Sequence, residues 1–154
     1  MKLAEALLNR KSLLEKINNF SATIEPSLHH EDGEVQDADY NVLITEFQDA
    51  VAEYTDLVIR INLTNNATMI EFNGMKMSIM RAIALKESFT LTKNLFTNLG
   101  YRRQPKKAVY GQTTVDIIHD VPQSHIKNEL NRGEKSIREL DVIIQTANWS
   151  TELL

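Results

Sequence analysis

From Arg60 to Asn65 the chain reads Arg-Ile-Asn-Leu-Thr-Asn, and further on comes Tyr101-Arg102-Arg103 with Lys106-Lys107 close behind. Arginine offers a planar fork for phosphate or carboxylate, asparagine both donates and accepts at an amide or base edge, and tyrosine presents a face for stacking. Arg60, Asn62, Asn65, Tyr101, Arg102, Arg103, Lys106 and Lys107 are therefore the candidate ligand-binding set. Together they suit a small anion that carries a ring, and a nucleotide-derived signal is a ligand of that kind. If a phage encodes the chain, sequestering a host defence signal fits the same chemistry. These side chains also have a structural use, in which Arg60 pairs with a carboxylate and the amides cap helix ends.

Catalysis has fewer footholds. His119 or His125 is the obvious base for a phosphoester hydrolase, with Asp116 as its companion. Residues three apart on a strand point to opposite faces, however, so Asp116 and His119 do not naturally converge. His29-His30-Glu31-Asp32 lacks the i, i+4 spacing that brings two metal ligands onto one helical face. The five glycines are isolated, so neither a phosphate-cradling loop nor a nucleophile elbow is present. The expectation is a non-enzyme with no cofactor and no metal, acting as a sequestering binder. The rival is a structural or protein-interaction module without a small ligand.

Composition sets the frame for these residues. With 154 residues, 42% apolar and 25% charged, the chain suits one globular domain spanning 1–154. Cysteine is absent, which excludes disulfides and thiol chemistry and fits a reducing compartment. No stretch resembles a secretory signal or approaches a membrane span, so the expected setting is cytoplasmic with no membrane partner. The net charge of −4 conceals a strong asymmetry. From Glu25 to Asp56 there are ten carboxylates and no Lys or Arg, whereas from Asn73 to Lys107 eight cations face Glu87 alone. That field favours an anionic partner at the basic segment, or pairing of the two segments within the fold or between subunits. Nucleic acid is not an expected partner, because an acidic protein with one short basic cluster neutralises few phosphates.

The elements that must position the candidate set follow from periodicity. Leu3, Leu7, Leu14, Ile17 and Ile24 mark a first helix from about Lys2 to Ile24, which Glu25-Pro26 should stop. A loop follows, ending near a capping Asp37. Tyr40, Phe47, Tyr54 and Ile61 recur every seven residues, with Leu43, Ala50 and Leu57 between them. This predicts a second helix of about 35 Å with a coiled-coil-like seam, packed antiparallel on the first. Arg60 to Thr68 then reads as a polar hinge, and Asn73-Gly74 as the turn of a hairpin over 69–77. Ser78 should cap a third helix that runs to Gly100. Lys107 to Tyr110 and Thr113 to His119 read as a second hairpin around Gly111-Gln112. A fourth helix begins near Pro122 and carries Ile126, Leu130, Gly133, Ile137, Leu140, Ile144 and Ala147 on one stripe, with Asn148 as its cap and Trp149 as a core anchor. The fold class is mainly α with minor β: long antiparallel amphipathic helices in a coiled-coil-like bundle, plus two small β-hairpins. Helices this long cannot cover one another in so short a chain, so a homo-oligomer is expected.

Three blocks carry a resemblance. The opening Met-Lys-Leu-Ala-Glu-Ala-Leu-Leu-Asn-Arg, the central Arg60-Ile-Asn-Leu-Thr-Asn65, and the closing run from Arg138-Glu-Leu-Asp141 through Ile144-Gln145 to Asn148-Trp149-Ser-Thr-Glu-Leu resemble the septicolysin-like family of small bacterial and phage proteins. That family has no established activity, so the resemblance implies a whole-chain relationship and no reaction. Where the family tends to carry an Arg-Asp pair early in the third helix, this chain reads Ala84-Leu85-Lys86-Glu87.

Overall fold

The computed structural model describes residues 1–29, 39–102 and 105–154. Its elements are α1 (Leu3–Ile24), a 3-10 turn (Glu25–Ser27), α2 (Tyr40–Ala67), β1 (Met69–Phe72), β2 (Met75–Ser78), α3 (Ile79–Tyr101), β3 (Lys107–Tyr110), β4 (Thr113–Asp116) and α4 (Gln123–Ser150). The fold is mainly helical, with two small antiparallel hairpins. It divides into two compact units, one of Met1–Met69 with Gln145–Leu154 and one of Ile70–Ile144.

In the first unit α1 and α2 lie antiparallel, with Phe20 against Phe47 edge-on at 5.5 Å. The buried positions of α2 are Leu43, Ala50, Leu57, Ile61 and Thr64. The seam therefore centres on the smaller residues of the heptad, while Phe47 and Tyr54 flank it half-buried and Tyr40 is exposed. Asp37, expected to cap α2, lies outside the described residues, as do His30, Glu31 and Asp32 of the expected loop. The cap is Asp39, whose carboxylate accepts from the Asn41 backbone N–H at 2.8 Å.

The expected hinge is not a hinge. Arg60 to Ala67 continues α2 for two more turns. Asparagine and threonine are poor helix formers, but Ile61 and Thr64 prolong the buried seam at i, i+3 spacing, and that packing outweighs propensity. Thr64 is 1% exposed. Its hydroxyl donates to the Arg60 carbonyl at 2.8 Å and accepts from the Leu154 N–H at 3.0 Å.

This last contact belongs to a clasp in which three distant parts of the chain meet. Leu3 N–H donates to Thr151 O at 3.0 Å and Leu153 N–H to Met1 O at 2.9 Å, with Lys2 and Glu152 paired antiparallel. Lys2 Nζ reaches Glu152 at 2.6 Å and the Ser150 carbonyl at 3.1 Å. On the other side of this short ribbon, Arg60 Nε donates to the Leu154 backbone oxygen at 2.7 Å.

In the second unit the Asn-Gly turn behaves as its composition dictates. Asn73 and Gly74 both have positive φ, 50° and 76°, as a two-residue hairpin turn requires. Phe72 and Met77 are buried, and Phe72 meets Phe89 of α3 edge-on at 6.4 Å. Ser78 caps α3 by accepting from the Arg81 N–H at 3.3 Å. α3 ends one residue beyond the expected Gly100, with Arg102 as its cap.

α4 buries Ile126, Gly133 and Leu140 at seven-residue spacing. A Cβ on Gly133 would stand 3.4 Å from Lys93 Cβ, so the missing side chain lets α3 and α4 approach closely. Lys86 Nζ crosses to Asp141 at 2.6 Å, which fixes the antiparallel register of the pair. Two expectations at the end of α4 need correcting. Asn148 is buried inside the helix instead of capping it, and Trp149, expected as a core anchor, is 59% exposed. The reason is the stripe itself: Leu140, Ile144 and Ala147 point inward, and position 149 falls on the other face.

Candidate functional site

The expected ligand-binding residues divide between the two units. Arg60, Asn62 and Asn65 sit on the last two turns of α2 in the first unit. Arg60 is engaged with the Leu154 oxygen and lies 3.9 Å from Asp56, while Asn62 is exposed and Asn65 half-buried. Tyr101, Arg102, Lys106 and Lys107 belong to the second unit. Arg103 lies outside the described residues.

In the second unit the last turn of α3 leads to Tyr101, which is 85% exposed, and to Arg102. Lys106 precedes β3, and its carbonyl accepts from Ile117 N–H at 2.8 Å, extending the β3–β4 ladder by one rung. That ladder pairs Lys107 with Asp116, and the two side chains stand 3.9 Å apart. Arg102 and Lys106 make no ion pair among the described residues.

Tyr101 forms one wall of a cleft of about 350 Å³ between the end of α3 and the start of α4. Thr97 and Gly100 line the α3 side; Gln123, Ile126, Lys127 and Leu130 line the α4 side. The Thr97 hydroxyl is committed to the Lys93 carbonyl at 2.9 Å. The groups left for a ligand are the Tyr101 ring, the Gln123 amide and the Lys127 ammonium. Lys127 also lacks an ion pair among the described residues. An aromatic face, an amide edge and a cation are thus gathered in one concavity, over the apolar floor of Ile126 and Leu130. Gln123 and Lys127 were not among the residues singled out from sequence. Their signal was the i, i+4 spacing just after Pro122, which puts both on one face of the first turn of α4.

A second cleft, of about 420 Å³, shares Ile126 and is lined by Phe96, Leu99, Ile118, Val121, His119, Asp120 and His125. His125 meets the Phe96 ring edge-on at 6.2 Å. The two histidines considered for acid–base chemistry therefore border one cavity, with Asp120 as the nearby carboxylate in place of Asp116. Its walls are mainly apolar, and no group of three or more potential metal ligands occurs among the described residues.

Comparison with known proteins adds relationships of fold. A family model, described as a family of unknown function (DUF6847), matches residues 10–153. No curated protein matches the chain. Among solved structures, a functionally unknown conserved protein from Corynebacterium diphtheriae is 24% identical and superposes with a TM-score of 0.79, over 100% of this chain and 99% of that one. The likeness extends to the whole fold. No helix among the described residues is long and apolar enough to cross a membrane.

Proposed function

The chain belongs to DUF6847, a family of unknown function, and we propose that it is a non-catalytic binding protein that takes up a small anionic ligand bearing a ring, such as a nucleotide derivative. The observation that carries this reading is the cleft in which Tyr101, Gln123 and Lys127 converge. Stacking, edge recognition and charge neutralisation need no more than these groups, and a volume of about 350 Å³ suits a ligand of this size. Arg102, next to Tyr101 in the chain, adds a second cation without a partner among the described residues. Sequestering such a signal asks for retention alone, so no nucleophile or base enters the scheme. The septicolysin-like resemblance is compatible with it and supplies no activity of its own.

The test is a thermal-shift titration against cyclic and linear nucleotides, ADP-ribose derivatives and inorganic polyphosphate. A ligand at a hundredfold excess over its Kd should stabilise the protein by about 2.7 kcal/mol. That shift should shrink in Tyr101→Ala and Lys127→Ala, both of which alter exposed side chains. No saturable stabilisation by any member of the panel would defeat the proposal.

A second reading, a structural or interaction module without a small ligand, is favoured by one specific observation. Arg60, the first residue of the expected binding set, holds the Leu154 oxygen. The two readings differ in outcome, because an interaction module leaves the thermal midpoint unmoved by every compound in that titration.

A further inference from the structure

α3 is half-covered. Its inner side carries Ala82, Lys86, Phe89 and Lys93, which are buried or half-buried. Its outer side carries Met80, Leu91, Leu95 and Leu99, all exposed, with Leu91 at 65%. These positions recur at helical spacing over twenty residues, about 29 Å of rise, with exposed Ala84 and Glu87 between Met80 and Leu91. An apolar strip of that length is seldom left to solvent.

Charge decides what can cover it. Lys86 and Lys93 lie on the inner side, but Arg81 and Arg102 edge the outer strip near its two ends, with Glu87 the helix's single carboxylate, so a second α3 laid antiparallel along the first would bring these arginines together. α2 offers the opposite. Val42, Asp49, Ala52, Asp56, Ile59 and Leu63 fall at seven-three-four-three-four spacing along an exposed side, flanked by Glu46 and Glu53. Ile59 and Leu63 are both more than half exposed. No Lys or Arg occurs between Glu25 and Ile59, and Arg60, which follows, is engaged with the Leu154 oxygen and lies 3.9 Å from Asp56. The two outer faces match in length, in apolar content and, inversely, in charge. Among the described residues Arg81 and Arg102, which edge the α3 strip, form no ion pair, and neither do Glu46, Asp49 and Glu53.

We propose that the protein associates with itself by docking the outer face of α3 of one copy on the acidic outer face of α2 of another. Both faces are open to solvent within a single chain, so each copy offers one of each kind. The contact is heterologous, joining two different surfaces, and is independent of what the Tyr101 cleft holds.

That asymmetry provides the test. Leu91→Asp spoils the α3 face, and the double change Asp49→Lys with Glu53→Lys spoils the α2 face; all three residues are exposed, so both variants should keep native circular dichroism. Light scattering coupled to gel filtration, at about 50 µM, should show a multimer for the native sequence and, for each variant alone, dissociation at least about tenfold easier. Mixed in equal amounts, the two variants should recover a dimer, because one retains an intact α3 face and the other an intact α2 face. A native sequence that is monomeric at that concentration overturns the proposal. So does a multimer that either variant leaves undisturbed, as α3 pairing with α3 would leave the Asp49→Lys, Glu53→Lys variant, or a mixture that stays monomeric.

Discussion

Thr64 shows how far a residue's chemistry can be inferred from its type. Its hydroxyl is almost fully buried, donates to Arg60 O and accepts from Leu154 N–H. Thr64→Val preserves the shape, removes both bonds and leaves the part-buried Leu154 N–H without its acceptor. The expected cost is about 1–3 kcal/mol, measured as a lowered urea midpoint with an unchanged m-value. From sequence, Arg60, Asn62, Thr64 and Asn65 could be recognised as a dense cluster of hydrogen-bonding groups, but their partner could not. The partner of Arg60 and Thr64 is the backbone of Leu154, ninety or more residues away, and backbone groups carry no residue-specific signal. Trp149 failed for a related reason. An aromatic near a helix end suggests burial, yet the inward stripe through Leu140, Ile144 and Ala147 leaves position 149 outside.

At the level of elements, helical periodicity was the most legible signal. It placed α1, α3 and α4 and the start of α2 within a residue or two, and Asn73-Gly74 identified the first hairpin through the positive φ it needs. Polar composition misled at the end of α2, where Ile61 and Thr64 keep the backbone helical by packing. Gly133 was legible as a close-approach position, and its geometry makes a graded prediction. An alanine Cβ at 3.4 Å from Lys93 Cβ is at ordinary contact, so Gly133→Ala should stabilise by up to about 1 kcal/mol through helix propensity. Gly133→Leu must push α3 away and should destabilise by about 1–3 kcal/mol. Both are measured by chemical unfolding, and the sign change between them distinguishes tight packing from open space. The Tyr101 cleft was only partly legible: Tyr101 stood out beside its basic run, whereas Gln123 and Lys127 look like ordinary surface residues until α3 and α4 are paired.

For the molecule as a whole, three stretches far apart in sequence meet in the clasp: Met1 to Leu3, Arg60 to Thr64 and Ser150 to Leu154. Glu152 is its charged member. Hydrogen bonding to Lys2, and then to the Met1 ammonium, holds its carboxyl below the usual carboxylate value. A depressed folded-state pKa contributes stability above the unfolded value, about 4.3, and that contribution is lost as the pH falls through the folded value. The difference in unfolding midpoint between the native chain and Glu152→Gln should therefore be present at neutral pH and vanish in strong acid. It should also shrink in high salt, because the pair is exposed.

The clasp has one more consequence, for how the molecule bears load. Met1 and Leu154 leave the Lys2–Glu152 ribbon at the same end, since Met1 O pairs with Leu153 N–H and Thr151 O with Leu3 N–H further in. Tension applied between residues 1 and 154 therefore peels that ribbon one hydrogen bond at a time, as a zip opens, and never shears its bonds together. The same contacts that close the fold at rest make it yield first when the chain is drawn out from its two ends.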